Sequence, residues 1–375
     1  MKVAYFVHDL NDAAVARRVR MLRAGGAEVA LAGFWRGLAA PETVAGVPVL
    51  SLGRTQDGQL AKRALSVAKL AAAPDVVRRI ASGAEVVMAR NLEMLALAAR
   101  ARSAAKPGAR LIYESLDIHR SLLGTRAPSR MLRGLEKRLM AGVDLLLTSS
   151  PAFLRHYFEA QQDYRGPHML VENKVLQLDE GPAPATTEPP DGPPWRIGWF
   201  GMLRCEKSLA ILSALAAASD GRVEVVLRGR PARSTFADFD AAVARAPGVS
   251  FEGAYSPSDL PRLYGEIHFT WAIDYFEEGL NSSWLLPNRL YEGSLHGAVP
   301  LALADVETGA WLARHEAGVR LSDPAMELSG FFDTLTPARY AELRRAVSAI
   351  PQTDLIADDQ DCRLLVRAIS GETGA

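Results

Sequence analysis

Residues 196–218, RIGWFGMLRCEKSLAILSALAAA, decide the fold. The aromatic and aliphatic RIGWF run predicts a buried strand, and residues 208–218 predict a helix. The short turn between them begins at Gly201 and carries Arg204 and Lys207. A buried strand that leads through a short turn into a helix is half of a βαβ unit. It therefore indicates a parallel sheet covered by helices on both faces.

The same alternation fills the rest of the chain. Further strands are predicted at 3–7, 28–32, 47–52, 85–88, 110–113, 144–148, 168–171, 223–228, 249–252, 269–273 and 299–302. Further helices are predicted at 13–24, 236–245, 258–264, 337–349 and 359–370. We therefore predict an α/β protein of two Rossmann-like, doubly wound domains that face each other across a cleft, where ligands bind such sheets.

A proline-rich stretch divides the two runs. Residues 178–194, LDEGPAPATTEPPDGPP, contain six prolines and two glycines, a composition that suits neither a helix nor a central strand. We predict a first domain at 1–177, a linker at 178–194 and a second domain at 195–375. Whether the last helix packs back on the first domain stays open.

Composition narrows the class of protein. The chain has 375 residues, of which 49% are hydrophobic and 23% charged, as in globular proteins of two domains. Cys205 and Cys362 are too few for a disulfide framework and are expected as free thiols. The chain enters a predicted strand at once, without a signal peptide or an apolar run that could span a bilayer. We expect a cytoplasmic protein, either soluble or peripheral on the inner face of the membrane.

Charge is unevenly distributed. The net charge is zero, but residues 1–190 hold 26 Lys and Arg against 18 Asp and Glu. A neutral total argues against nucleic-acid binding, and the basic first half favours an anionic partner. Residues 120–138 form a basic amphipathic segment, and 63–79 form a second basic one. The first predicts either a helix resting on anionic lipid or an ordinary helix covering the sheet.

The turn after the strand at 196–200 is a candidate phosphate site. Gly201 lets a ligand approach the backbone, and Arg204 and Lys207 suit a diphosphate. The alternative is solvated surface charge. The turn contains neither a Walker A sequence nor G-x-G-x-x-G, which argues against a P-loop or dinucleotide site.

A polar loop precedes a helix predicted to start at Pro287. Its backbone N–H groups and the positive helix end suit phosphate oxygens, or its side chains cap the helix. The candidate ligands in this loop are Gly279, Asn281, Ser282 and Ser283. Glu292 lies in the second helical turn, where its carboxylate would accept hydrogen bonds from a ribose diol. The alternative is a Glu on the solvated helix face.

In the first domain, Asp117 and His119 follow a strand at its carboxyl end. Asp9 follows the first strand, together with His8 and Asp12. A carboxylate or imidazole there would act as a base or orient a hydroxyl, although Asp12 is equally a helix cap. No Cys or His spacing is typical of zinc, so we expect no metal and no cofactor.

These motifs resemble the retaining-type GT-B glycosyltransferases. Gly201, Leu203 and Lys207 match G-x-L-x-x-x-K, and residues 287–300, PNRLYEGSLHGAVP, are similar to P-x-K-x-x-E-x-x-x-x-G-x-P-V. Residues 9–22, DLNDAAVARRVRML, and 114–119, ESLDIH, are similar to bacterial exopolysaccharide glycosyltransferases of the succinoglycan type.

The resemblance implies a nucleotide-sugar donor, such as a UDP- or GDP-sugar. It implies that Glu292 holds the ribose and that Asn288 and Arg289 approach the donor phosphates and sugar. The family has a second glutamate eight positions earlier, where this chain has Trp284, so Glu278 would take that sugar-contacting role. The resemblance also implies that the domain at 1–177 binds the acceptor, a saccharide linked to polyprenyl diphosphate at the membrane, and that the domain at 195–375 binds the nucleotide sugar.

We therefore predict a metal-independent hexosyltransferase that acts in exopolysaccharide or surface-glycan biosynthesis. Arg204 and Lys207 would stabilise the departing nucleoside diphosphate, and either Asp117 or Asp9 would serve the acceptor hydroxyl. Two alternatives remain open. One is a nucleotide-sugar epimerase on the same scaffold, and the other is a non-catalytic nucleotide-sugar-binding protein.

Overall fold

The structure, a computed structural model, describes residues 1–37, 39–55, 74–178 and 188–372. The chain forms two compact units. Unit 1 comprises Met1–Glu172, Leu176–Leu178 and Ala357–Ala375, and unit 2 comprises Asn173–Val175 and Asp179–Ile356. The central part of the predicted linker, 179–187, and most of the second basic segment lie outside the described residues.

Unit 1 is built on an eight-stranded sheet. Its strands are Lys2–Val7 (β1), Glu28–Trp35 (β2), Thr43–Val44 (β3), Val47–Arg54 (β4), Val86–Arg90 (β5), Arg110–Ser115 (β6), Leu145–Thr148 (β7) and His168–Leu170 (β8). The strand order is β3-β4-β2-β1-β5-β6-β7-β8, and every pairing is parallel except the β3–β4 hairpin.

Helices flank this sheet. They are Ala13–Ala24 (α1), Pro74–Ala81 (α2), Leu92–Ala101 (α3), Arg120–Leu123 (α4), Ala127–Met140 (α5) and Pro151–Phe153 (α6). A short 3₁₀ turn follows α3 at Arg102–Ala104, and a π-helical turn, Leu154–Glu159, follows α6. Two short strands, Val175–Leu176 (β9) and Ile356–Ala357 (β16), lie where the chain passes between the units.

Unit 2 contains a six-stranded parallel sheet. Its strands are Trp195–Leu203 (β10), Val223–Pro231 (β11), Val249–Phe251 (β12), Phe269–Trp271 (β13), Val299–Leu303 (β14) and Val319–Leu321 (β15), in the order β12-β11-β10-β13-β14-β15. Its helices are Glu206–Ala218 (α7), Phe239–Ala244 (α8), Leu260–Gly265 (α9), Asn288–Leu295 (α10), Glu307–Arg314 (α11), Pro324–Thr334 (α12), Pro337–Ser348 (α13) and Gln352–Leu355 (α14). Three 3₁₀ turns complete it, at Arg233–Thr235, Pro257–Asp259 and Ser282–Trp284.

The last helix, Asp359–Ser370 (α15), belongs to unit 1, where it packs against α1. The contact is close because Gly25 has no side chain. A Cβ atom at this position would lie 2.3 Å from the carbonyl oxygen of Cys362, so any larger residue would force the two helices apart.

The predicted α/β fold with two doubly wound sheets is confirmed. In each sheet the strand order reverses at one point, between β1 and β5 in unit 1 and between β10 and β13 in unit 2. Ligands of open parallel sheets bind outside the carboxyl ends of the strands at this topological switch point. Functional side chains are therefore expected at the carboxyl ends of β1 and β5 in unit 1 and of β10 and β13 in unit 2.

The basic segment at 120–138 forms α4 and most of α5. The exposure of side chains on α5 differs from that expected from its sequence pattern. Glu136, the one acidic residue of that segment, is fully buried. Met131 and Leu135 are 76% and 44% exposed, beside the exposed Arg130 and Arg138. Within the described residues, none of the helices has the length and apolarity needed to span a bilayer.

Candidate active site

Two glycines shape the switch point of unit 2. Gly201 and Gly229 are register partners at the carboxyl ends of β10 and β11, with φ angles of +108° and +125°. A Cβ atom on Gly229 would lie 1.8 Å from the carbonyl oxygen of Gly201. Only glycine tolerates both the left-handed backbone and this approach. Neither position therefore places a side chain over the backbone there, as a close approach of phosphate to the turn would require.

Two arginines share one carboxylate beside this turn. Asp274 follows β13, and its Oδ2 lies 3.2 Å from Nη2 of Arg204 and 3.8 Å from Nη2 of Arg289. The same Nη2 of Arg289 donates to the carbonyl oxygen of Ile273 at 2.8 Å. Residues far apart in the chain are thus brought together at the switch point, with two positive charges against one negative charge.

Arg289 is a buried cation with an unused donor. Its side chain is 11% exposed, and its Nε atom is buried and has no hydrogen-bond partner among the residues that the structure describes. Burial lowers the pKa of Arg289, and the Asp274 carboxylate opposes that effect. Leaving a charged donor unpaired in the interior is costly, so this geometry suits an anion that supplies further acceptor oxygens.

Lys207 lies on the first turn of α7. Its Nζ donates to Oε1 of Glu278 at 2.6 Å and lies 4.2 Å from the centre of the Tyr275 ring. Both members of the ion pair are about half exposed, so a ligand can reach the ammonium group. The predicted lysine and the predicted loop glutamate therefore contact each other directly.

The polar loop adopts a 3₁₀ turn at Ser282–Trp284. Asn281 is buried at its amino end, and Ser282 accepts a hydrogen bond from the backbone N–H of Glu277 at 2.8 Å. Gly279 is exposed with φ of +81°, and Ser283 is half-buried. The hydroxyl of Ser282 thus stabilises its own loop.

The next helix, α10, begins one residue later than predicted. Pro287 is its N-cap residue, with extended backbone, and Asn288 is the first helical residue and exposed. The prediction of Pro287 as the first helical position was therefore wrong. The backbone of Pro287 lies in the extended region, as is usual for an N-cap residue.

Glu292 lies half-buried in the middle of α10. Tyr264 donates a hydrogen bond from its hydroxyl to Oε2 of Glu292 at 3.1 Å. Burial and the charge of the nearby Glu292 together raise the pKa of the Tyr255 hydroxyl. His296 stacks on Tyr264, and burial lowers its pKa to about 4, so it is neutral at physiological pH. The Glu292 carboxylate is therefore oriented by a tyrosine and is not a freely solvated side chain on the exposed face of the helix.

The switch point of unit 1 holds a buried charge network. Glu114, at the end of β6, is fully buried and accepts hydrogen bonds from Tyr5, Arg18 and Arg90. The Arg18 and Arg90 contacts measure 2.5 and 2.7 Å. Burial alone would raise the pKa of Glu114, but the two guanidinium groups lower it to about 2. Glu114 is consequently ionised at all physiological pH values.

The predicted unit 1 residues lie around this network in different settings. Asp9 is 8% exposed, with Oδ2 3.6 Å from Nε of Arg36 and Oδ1 accepting from the backbone of Asn11 at 3.0 Å. Asp12 is the N-cap of α1, so the capping alternative is correct, and its Oδ2 also lies 3.5 Å from Nη1 of Arg90.

Asp117 and His119 follow β6 on an exposed loop. The Nδ1 atom of His119 accepts a hydrogen bond from the backbone N–H of Ser121 at 3.2 Å, which makes this histidine the cap of α4. Its side chain therefore has a structural task that the sequence prediction did not include. Among the described residues, no three His, Cys, Asp or Glu side chains gather as a metal site would require.

Sequence reasoning missed three members of the unit 2 site, namely Asp274, Tyr255 and Tyr264. Asp274 is a single acidic residue in the apolar run WAIDYF, directly after a predicted strand. That position was the available signal, because a carboxylate at the carboxyl end of a switch-point strand has a functional setting. The tyrosines carry no comparable signal.

Comparison with known proteins identifies the family. No protein-family model matches the chain. The succinoglycan biosynthesis protein ExoL of Rhizobium meliloti (strain 1021) is 45% identical over 376 residues, which is 99% of this chain and 93% of the relative. The chain belongs to the ExoL family. The resemblance to exopolysaccharide glycosyltransferases of the succinoglycan type is thereby confirmed.

Solved structures show the fold of this ExoL-family chain. HepE of Anabaena in complex with UDP superposes with a TM-score of 0.70 at 14% identity over 100% of both chains. The sucrose-phosphate synthase of Thermosynechococcus elongatus gives 0.68 at 13% identity over 99% of this chain and 98% of its own. The lipopolysaccharide outer core galactosyltransferase WaaB gives 0.55 at 13% identity over 98% and 95%. The chain has the GT-B fold of these structures, as the sequence predicts.

Proposed function

We propose that this protein is a glycosyltransferase that moves a sugar from a nucleoside-diphosphate donor to a saccharide acceptor, carried on polyprenyl diphosphate, in exopolysaccharide or surface-glycan biosynthesis. The observation that carries the proposal is the pair of guanidinium groups on Asp274 at the switch point of unit 2, where the Nε of Arg289 has no hydrogen-bond partner in the described part of the chain. The name of the ExoL relative supports the pathway class, and the UDP in HepE supports the donor class.

The donor diphosphate fits the charges of unit 2. Arg204, Lys207 and Arg289 supply three cations, and Asp274 and Glu278 supply two carboxylates. A diphosphate would add acceptor oxygens to a site with surplus positive charge. As the glycosidic bond to the diphosphate breaks, negative charge grows on the leaving oxygen, and pre-oriented cations stabilise it in a partly buried site.

The nucleoside would bind through Glu292. A ribose offers two neighbouring hydroxyl donors, and a carboxylate accepts both. The Tyr264 hydroxyl holds one oxygen of that carboxylate at 3.1 Å and so fixes its plane. Asn288, exposed at the start of α10, and the loop containing Gly279, Asn281, Ser282 and Ser283 would border the donor phosphates and sugar, with Glu278 at the sugar.

Unit 1 would bind the acceptor. Asp117 is exposed at the carboxyl end of β6, whereas Asp9 is buried against Arg36. We therefore favour Asp117 over Asp9 and His119 as the group that orients the acceptor hydroxyl, because a base must be within reach of its substrate.

The exposed face of α5 would hold the protein at its lipid-linked acceptor. Met131 and Leu135 are exposed there between Arg130 and Arg138. Apolar side chains flanked by cations are the pattern of helices that lie on anionic membranes. This contact would be peripheral.

A ligand screen tests the donor assignment. Thermal unfolding of the purified chain would be followed with UDP, GDP and a panel of their sugars. A nucleotide sugar that binds the folded state raises the unfolding temperature. We expect one nucleotide class to stabilise the wild type and to lose that effect with Arg289→Gln. Absence of stabilisation by every member of the panel would contradict the proposal.

A further inference from the structure

We propose that Asp274 is a positioning residue, which holds Arg204 and Arg289 side by side where they receive the donor diphosphate. This inference rests on the proposed function. Asp274 itself would not touch the reacting atoms. It would act through the two arginines, whose guanidinium groups meet on one of its oxygens.

The carboxylate of Asp274 is fixed before it binds either arginine. Its Oδ1 accepts a hydrogen bond from the backbone N–H of Phe276 at 2.8 Å, and its side chain is only 10% exposed. The other oxygen, Oδ2, is thereby turned towards Arg204 and Arg289, at 3.2 and 3.8 Å. A backbone-anchored acceptor sets the place of both cations more firmly than a flexible side chain does.

Each arginine has a second restraint besides Asp274. The guanidinium carbon of Arg204 lies 4.6 Å from the centre of the Phe276 ring, which limits its motion on that side. Arg289 donates to the carbonyl oxygen of Ile273 at 2.8 Å. Two guanidinium groups at one point repel each other, and the negative charge between them offsets that repulsion.

The arrangement keeps donors available for a ligand. The ion pairs with Asp274 are made through Nη2 of each arginine, and within the described residues Nε of Arg289 has no hydrogen-bond partner. A diphosphate can therefore bind while the Asp274 contacts persist. The opposite possibility is that Asp274 acts as an internal competitor, which the diphosphate has to displace. The two accounts predict opposite changes in affinity when the charge is removed.

The test compares Asp274→Asn with the wild type and with Asp240→Asn. Asp240 forms a surface ion pair with Arg233 in the same unit, so it controls for the loss of any aspartate charge. Calorimetry gives the affinities for UDP, GDP, pyrophosphate and the free nucleosides, and a transfer assay gives kcat and KM. We expect Asp274→Asn to lower kcat and the nucleoside-diphosphate affinity about tenfold or more, as misplacement of binding groups does.

The nucleoside affinity should stay at the value of Asp240→Asn, because Glu292 rather than the two arginines would bind the nucleoside. Tighter diphosphate binding, or an unchanged kcat, would overturn the positioning role. If Asp274→Asn does not fold, Asp274→Glu keeps the charge but moves the carboxylate by one methylene. It should then lower kcat and diphosphate affinity without changing nucleoside affinity, and unchanged values would again overturn the role. If the wild type binds neither UDP, GDP nor pyrophosphate, the proposed function fails instead.

Discussion

Tyr264 and Glu292 form a hydrogen bond of 3.1 Å between α9 and α10, with the tyrosine hydroxyl donating to Oε2. The tyrosine is fully buried and the glutamate half-buried. A buried donor that fixes a partly accessible carboxylate prepares it to accept ligand hydroxyls without reorganisation. This pair is the structural basis for the nucleoside half of the proposed donor site.

Glu292→Gln should weaken nucleoside-diphosphate binding about tenfold, because a charge-assisted hydrogen bond becomes a neutral one. The sharper measurement is a cycle with the 2′-deoxynucleotide. The wild type should prefer the ribonucleotide, and the variant should lose most of that preference. If the preference is the same in both proteins, Glu292 does not bind the ribose.

Lys207→Met should reduce turnover about a hundredfold, because the ammonium group stabilises charge that develops on the leaving diphosphate. Lys106→Met is the matched control. Lys106 forms a 2.9 Å ion pair with Glu85 and is 54% exposed, compared with 51% for Lys207. Steady-state kinetics of sugar transfer check this prediction. Equal kcat values for the two variants would remove Lys207 from the catalytic machinery.

Glu114→Gln should destabilise the protein by about 3–5 kcal/mol, because it leaves two buried guanidinium groups without a counter-charge. The pH dependence has a definite sign. The pKa of Glu114 falls from 4.5 to about 2 on folding. Its contribution to the free energy of unfolding is therefore complete above pH 4.5 and is lost as the pH falls towards 2. Denaturant unfolding at several pH values should show a smaller loss of stability with acid for the variant. An identical acid profile would contradict the network.

Glu136→Gln should behave differently. Glu136 is buried among Tyr113, Tyr157 and Gln162, and burial raises its pKa although these groups donate hydrogen bonds to it. A carboxyl group whose pKa is raised on folding stabilises the folded state at low pH. That stabilisation is lost as the pH rises through the pKa of the folded state. The neutral isostere should therefore cost only about 1 kcal/mol at neutral pH. Unfolding at pH 5 and pH 8 checks this, and a loss as large as that of Glu114→Gln would contradict it.

Arg130→Gln with Arg138→Gln should weaken binding to vesicles that contain anionic lipid by about 2 kcal/mol, at about 1 kcal/mol for each cation. Met131→Ser should weaken it further. Met326→Ser is the control, since Met326 is 78% exposed on α12, compared with 76% for Met131. Cosedimentation with anionic and neutral vesicles measures the effect. Equal recruitment to both kinds of vesicle would exclude the α5 face as a membrane contact.

Local patterns predicted those elements that carry their own signals. The predicted limits of α1 and α15, 13–24 and 359–370, agree with the structure. Alternating strands and helices were sufficient for the fold class. The helices α11 and α12 and the strand β15 were not predicted, although α11 buries Trp311 and Leu312 and α12 buries Leu328 and Phe332.

Side-chain contacts between residues far apart in the sequence could not be predicted from local patterns. Glu136 looks like a surface charge on a basic helix, but Tyr113 and Tyr157 reach it from other elements. Asp274 looks incidental until the strand order places it beside β10. Lys207, Arg289 and Glu292 could be proposed because they belong to a motif, whereas the groups that contact them are set by tertiary packing.

The most direct test of the central claim is a transfer assay. The purified chain would be incubated with the stabilising nucleotide sugar, radiolabelled in its sugar, and with lipid-linked saccharide from an exopolysaccharide-producing bacterium. We expect label to pass into the lipid extract with the wild type, and we expect Lys207→Met to lose most of this transfer. Label that stays on the nucleotide unchanged would indicate a binding protein, and label that reappears as a different nucleotide sugar would indicate an epimerase. Either result would contradict the proposed transfer.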